Sequence, residues 1–312
     1  MSLPQRQPLP DPVENTASGV TGRALLAGAL LSLGLGTSVQ YINMIMKGSL
    51  LGHNVNTPGA LLFFFVFVGC INVLLGLASR RLTFSRAELA TVYIMAMVAA
   101  ALPTIGFTSY VLPVIAGVYY YATPGNEWAQ LIHPHLPRWM VPEDYQAIEH
   151  FYEGLPKGES IPWEAWLEPL FYWCLFIVAL FWVSMCGMVI LRKQWMEQEK
   201  LIYPLAQVPL EMIQDDEKGS LIKPFFKSSA MWIGFAVPFL MGNINALHKY
   251  FPFMPSIALF MDLNLFRETT HLRLEPNVAL VGFAYLLNRD IALSFWLFFL
   301  ASTLQRGAFN IL

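Results

Sequence analysis

Residues 170–191 read LFYWCLFIVALFWVSMCGMVIL, without a single charged side chain. A helix needs about 20 mostly apolar residues to cross the hydrocarbon of a bilayer. In that medium each N–H and C=O must find its partner inside the protein. The stretch therefore reads as a spanning helix. Outward from it, residues 24–46, 58–79 and 229–250 have the same character, and longer apolar tracts occupy 87–122 and 276–312. The fold class that follows is all-α, a polytopic transmembrane helix bundle with about six crossings.

Composition agrees. Of 312 residues, 56% are hydrophobic and 13% charged, where a soluble domain carries about a quarter charged. The expected partners are the lipid bilayer and a small-molecule solute. A net charge of −2 excludes nucleic acid as an expected partner. Cys70, Cys174 and Cys186 all fall within apolar tracts, which predicts buried thiols rather than a disulfide framework.

Lysine and arginine set the orientation. Residues 80–86 hold Arg80, Arg81 and Arg86, and 192–227 holds Arg192, Lys193, Lys200, Lys218, Lys223 and Lys227. The segment at 123–168 has only Arg138 and Lys157. The basic segments are expected on the cytoplasmic side of the inner (plasma) membrane and 123–168 outside it. Residues 1–21, rich in proline and polar side chains, read as a disordered cytoplasmic tail ahead of a transmembrane domain at 22–312. The ending GAFNIL is still apolar. This predicts the N-terminal part of a longer bundle, completed by a C-terminal half or a second copy. In 123–168, PEDYQAIEHFYEG predicts one amphipathic helix from Pro142.

The tract at 87–122 must cross an odd number of times to keep both basic segments on one side. A straight helix of that length would measure roughly 54 Å at about 1.5 Å per residue, too long for one span. Its middle, residues 101–113, reads ALPTIGFTSYVLP. Pro103 removes a backbone donor and disfavours helix at Leu102, so a broken or re-entrant helix is expected there. Irregular backbone at membrane depth is tolerated beside protein or a wet cavity, and discontinuous helices are the usual substrate sites of secondary transporters.

Candidate substrate-binding residues are therefore Thr104, Thr108 and Tyr110 at the break. Tyr41 and Asn43 of QYINM and Asn243 and Asn245 of MGNINALHKY join them. The alternative for the amides is bonding between helices. Asp290, beside Arg289, interrupts the last tract and is the candidate coupling group, since an ionisable residue at depth points to function. That tract is either one interrupted helix or a hairpin of two halves. His133-Pro134-His135 has no standard metal spacing. No nucleophile, phosphate-loop or dinucleotide motif occurs, Asp215-Asp216 reads as a solvated turn, and neither catalytic residues nor metals nor cofactors are expected.

QWMEQEKLIYPLAQVPLEMI at 194–213 has too many apolar residues for a free loop, while Pro204 and Pro209 argue against one regular helix. It resembles the E-x-L-x-[YF]-P stretch of the oligopeptide transporter superfamily. TGRALLAGALLSLGLGTSVQYINM is similar to that superfamily's opening helix. YYYATPGNEWAQLIHPHLPRW, IPWEAWLEPLFYW and GFAYLLNRDIALSFWLFF resemble an uncharacterised branch of large prokaryotic multipass proteins. The resemblance implies a secondary transporter of a small polar or peptide-like solute. The competing expectation is a non-transporting membrane scaffold that binds a partner through 123–168.

Overall fold

In the computed structural model, which describes residues 20–42, 45, 58–103, 108–200, 203–216, 219–258, 260–266, 270–274 and 278–311, helices occupy the apolar tracts. The first two tracts give α1 (Gly22–Tyr41), α2 (Pro58–Val66) and α3 (Asn72–Ala78), the last two joined by a π-helical turn at Phe67–Ile71. The third tract is split into α4 (Arg86–Ala100) and α5 (Thr108–Tyr120). Then come α6 (Trp128–Leu131), α7 (Tyr145–Glu153), α8 (Trp163–Lys193), α9 (Pro204–Ile213), α10 (Pro224–Lys227) and α11 (Ser229–Tyr250). A hairpin of β1 (Met261–Leu265) and β2 (Thr270–Leu274) precedes α12 (Val278–Leu286) and α13 (Arg289–Ile311).

Among the described residues, five helical stretches are long and apolar enough to cross a membrane: Gly22–Tyr41, Pro58–Ala78, Trp163–Gln198, Ser229–Tyr250 and Arg289–Ile311. This is an all-α membrane protein. The α8 segment makes the physical point. Its only buried residues are Trp166 and Pro169, so the rest of an apolar cylinder lies on the surface, as suits a helix bathed in lipid. The three cysteines share that placement. Cys70, Cys174 and Cys186 are exposed, not buried as expected, because apolar tracts that face lipid carry their thiols outward.

The chain divides into two units. One comprises residues 1–31, 61–96 and 202–312. Its core holds Ala24, Phe64, Val68, Leu89, Val92 and Ala96, with the Phe64 and Tyr93 rings 4.9 Å apart. The π turn in this unit sits where Phe226 presses on Gly69. A Cβ there would lie 2.6 Å from the Phe226 ring, so only glycine permits the approach. In α9, Pro204 takes the first position and Pro209 lies inside the helix. This corrects the expectation that the two prolines forbid a regular helix. Pro204 gives up a donor that a helix start leaves unpaired anyway. Pro209, Met212 and Ile213 form the buried face.

Two further points concern the end of the chain. The last tract is interrupted where expected, α12 ending at Leu286 and α13 beginning at Arg289, and Asp290 lies in the first turn of α13, where a carboxylate suits the helix dipole. The β1–β2 hairpin was not anticipated. It is antiparallel, pairing Met261 with Leu274 and Leu265 with Thr270. Phe266 follows β1 with φ +52° and lays its ring on Gly307 of α13, where a Cβ would come within 2.2 Å.

The second unit comprises residues 32–60 and 97–201. Here α7 starts at Tyr145, capped by the Asp144 side chain accepting from Gln146 N, later than the expected Pro142. Ile148 of α7, Ala116 of α5 and Trp166 of α8 form one buried cluster. The Tyr152 hydroxyl donates to the Pro113 carbonyl at 2.6 Å, and the Tyr120 and Tyr152 rings stack at 4.1 Å. His133 is committed to protein contacts, with Nε2 3.0 Å from the Val118 carbonyl and its ring 4.2 Å from that of Tyr119.

Candidate functional site

The break in the third tract is the first candidate. Helix α4 ends at Ala100 and α5 resumes at Thr108. Before the break the backbone tightens: Ala101 N donates to Val98 O at 3.2 Å and Leu102 N to Ala99 O at 3.1 Å. These are i→i−3 bonds of the kind that finish a helix. Pro103 follows, buried and in a turn. The Gln40 side chain of α1 donates to the Pro103 carbonyl, Nε2 lying 3.2 Å from that oxygen.

A hollow of 470 Å³ beside Leu102 is walled by Val98, Ile177, Val178, Phe181 and Trp182, all apolar. Tyr41 and Tyr110 are both exposed. Thr108 opens α5. Asn43 and Thr104 lie outside the described residues.

Three predicted residues belong to the other unit. Asn243 Nδ2 donates back to the Phe239 carbonyl one turn earlier at 2.7 Å. Asn245 is bidentate on Ile257, donating to its carbonyl at 3.0 Å and accepting from its N–H at 2.8 Å. Both amides are used within their own neighbourhood. Asp290 borders a shallow hollow of 420 Å³ with Ile291, Ser294, Phe295 and Phe298, all on α13.

A polar centre that sequence reasoning missed lies at the start of α4. Ser85 and Glu88 form a reciprocal capping box: Glu88 N donates to Ser85 Oγ at 3.3 Å, and Ser85 N to Glu88 Oε2 at 2.9 Å. Ser-x-x-Glu before an apolar run is the signal that would have found it. The Glu88 side chain is 3% exposed. It also accepts from Thr21 Oγ1, Arg23 Nε and Arg23 Nη2, each at 2.6 Å. Arg23 donates in addition to the carbonyls of Arg81 (3.0 Å) and Thr83 (3.3 Å) and lies over the Phe84 ring. Asn72, buried in α3, accepts from Phe84 N at 2.8 Å. A carboxylate can be buried this way because every lone-pair direction meets a donor.

Beside this centre is a hollow of 350 Å³, bordered by Asn72, Arg80, Ser85, Asp215, Ser220 and Lys223 among others. Asp215 and Asp216 are not merely solvated: they pair with Lys223 and Lys227. Among the described residues, no group of three or more His, Cys, Asp and Glu is arranged to hold a metal.

Residues 14–312 match a family described as "Family of unknown function (DUF6785)". No curated protein matches the chain, and no solved structure does.

Proposed function

The chain belongs to the DUF6785 family of unknown function, and from that premise we propose that it is a secondary transporter of a small polar or peptide-like solute. The observation that carries this reading is the discontinuity after α4, where Ala101–Pro103 are in a turn and the Pro103 carbonyl accepts from the Gln40 amide. A backbone oxygen bound by one neutral amide is easily handed to a ligand or to water. The broken helices of transporters use freed backbone groups in this way. Residues 199–204, EKLIYP, support the distant link to oligopeptide transporters, and the basic segments support a cytoplasmic N-terminus in an inner (plasma) membrane. Tyr41, Asn43, Thr104, Thr108, Tyr110, Asn243, Asn245 and Asp290 remain the residues proposed to contact solute or coupling ion. The reading involves no catalytic step.

The test is ligand-induced stabilisation of purified protein against peptides, amino acids and metal chelates. One class should raise Tm, and the same class should accumulate in proteoliposomes. A flat screen and no uptake would remove the reading. A second reading, a partner-binding scaffold, is favoured by exposed Leu131, Trp139, Tyr145, Ile161 and Trp163 in 123–168. It predicts no uptake of any compound.

A further inference from the structure

We propose that the hollow between Asn72, Arg80, Ser220 and Lys223 binds a phosphate group, first of all that of a phospholipid headgroup. Three observations converge. The first is Lys223. Its side chain is 9% exposed while that of its partner Asp215 is 63% exposed. The ammonium thus lies inside and its counter-ion outside. Asp215 is its only hydrogen-bond partner among the described residues, so two of its three donors are left for an occupant of the hollow that Lys223 lines.

The second is the rest of the wall. The Arg80 guanidinium and the Ser220 hydroxyl have no partner among the described residues, and both line the hollow. Ser85 Oγ accepts from Glu88 N, which leaves its own proton to donate. Arg80 and Lys223 against Asp215 give the wall a net charge of +1. Several convergent donors with a fork-shaped guanidinium match a tetrahedral oxyanion. Glu88, bonded to Ser85 of the wall, is paired with Arg23.

The third is depth. Arg80 and Ser85 follow directly on Ala78, where one candidate span ends, and Ser220 and Lys223 come shortly before Ser229, where another begins. The hollow therefore lies at the level where apolar helices give way to polar chain. Phosphates of the lipid headgroups occupy that level, and basic pockets between helices bind them there.

The test uses the full chain, delipidated in neutral detergent and examined by native mass spectrometry and thermal unfolding. The probes are dioleoyl-phosphatidylglycerol, phosphate-free dioleoylglycerol and glycerol 3-phosphate. Phosphatidylglycerol should give a retained adduct and a raised Tm, and dioleoylglycerol neither. Arg80→Gln, an exposed position that should not disturb folding, should weaken the adduct at least tenfold. Arg81→Gln, one residue away but outside the hollow, should leave it unchanged. Asp215→Asn, which removes a competing carboxylate, should keep or tighten it. If glycerol 3-phosphate alone raises Tm and Arg80→Gln abolishes the effect, the phosphate site stands and its source is soluble. Full retention in Arg80→Gln, equal loss in Arg81→Gln, or no binding of any phosphate compound overturns the assignment.

Discussion

The two ends of α4 solve one problem in opposite ways. A helix terminus leaves four backbone groups without partners, and in an apolar setting each must be supplied. At the first end the supply is over-determined: Glu88 accepts from Ser85, Thr21 and twice from Arg23, and Arg23 is itself tied to two carbonyls. At the second end, among the described residues, the Pro103 carbonyl has one neutral donor, Gln40, at 3.2 Å, near a hollow lined by apolar side chains. A charge-assisted network is costly to open because opening it strands charges. A single neutral amide exchanges for water or ligand at a net cost of about 1 kcal/mol. The helix is thus held by a charged network at its start and by a neutral amide at its end, the asymmetry that the proposed transport reading requires.

That contrast can be broken experimentally, most severely at the fixed end. Glu88→Ala removes the carboxylate that four donors share and should lower unfolding stability by about 3 kcal/mol, the lower end of the range for splitting a buried pair since Arg23 is half exposed. Thermal or SDS unfolding reads this directly, and a loss below about 1 kcal/mol would deny the network its role. Gln40→Leu takes the only donor to Pro103 O among the described residues and should cost about 2 kcal/mol, as for an orphaned buried acceptor. It should also speed amide exchange at Ala101 and Leu102, which Glu88→Ala should not do selectively.

Tyr152→Phe is gentler, about 1 kcal/mol for one neutral hydrogen bond, and should loosen α7 from α5 without affecting α4. Burial pushes the Tyr152 phenol above its usual pKa. The folded state holds this proton to higher pH than the unfolded chain does. Its contribution is therefore intact below about pH 10 and declines as pH rises past that point. The alkaline loosening of α7, followed by near-UV circular dichroism, should be smaller in Tyr152→Phe.

What the sequence could and could not convey follows from the range of the forces involved. Spans at 58–79 and 229–250 were legible because length and apolarity alone define them, and the break near Pro103 because proline acts on its own neighbours. The first span was legible for the same reason, with α1 running to Tyr41 and Ile42 and Ile45 in π-helical backbone beyond it. The Asn245–Ile257 contact was not legible because nothing local says that Ile257 folds back to meet Asn245. Lys223 looked like one more cytoplasmic charge, since its burial depends on packing across the chain. The hairpin was overlooked although Leu263, Leu265, Leu272 and Leu274 alternate with polar residues. Its strands are short, and the apolar tracts around them dominated the reading.

The most direct test compares hydrogen exchange on the two sides of the break with exchange in an unbroken span, in lipid nanodiscs. The amides of residues 101–102 and 108–110 should exchange within minutes, while those of 233–240 in the middle of α11 should stay protected for hours. Equal protection at both places would mean that the interrupted backbone meets neither water nor solute, and the transport reading would go with it.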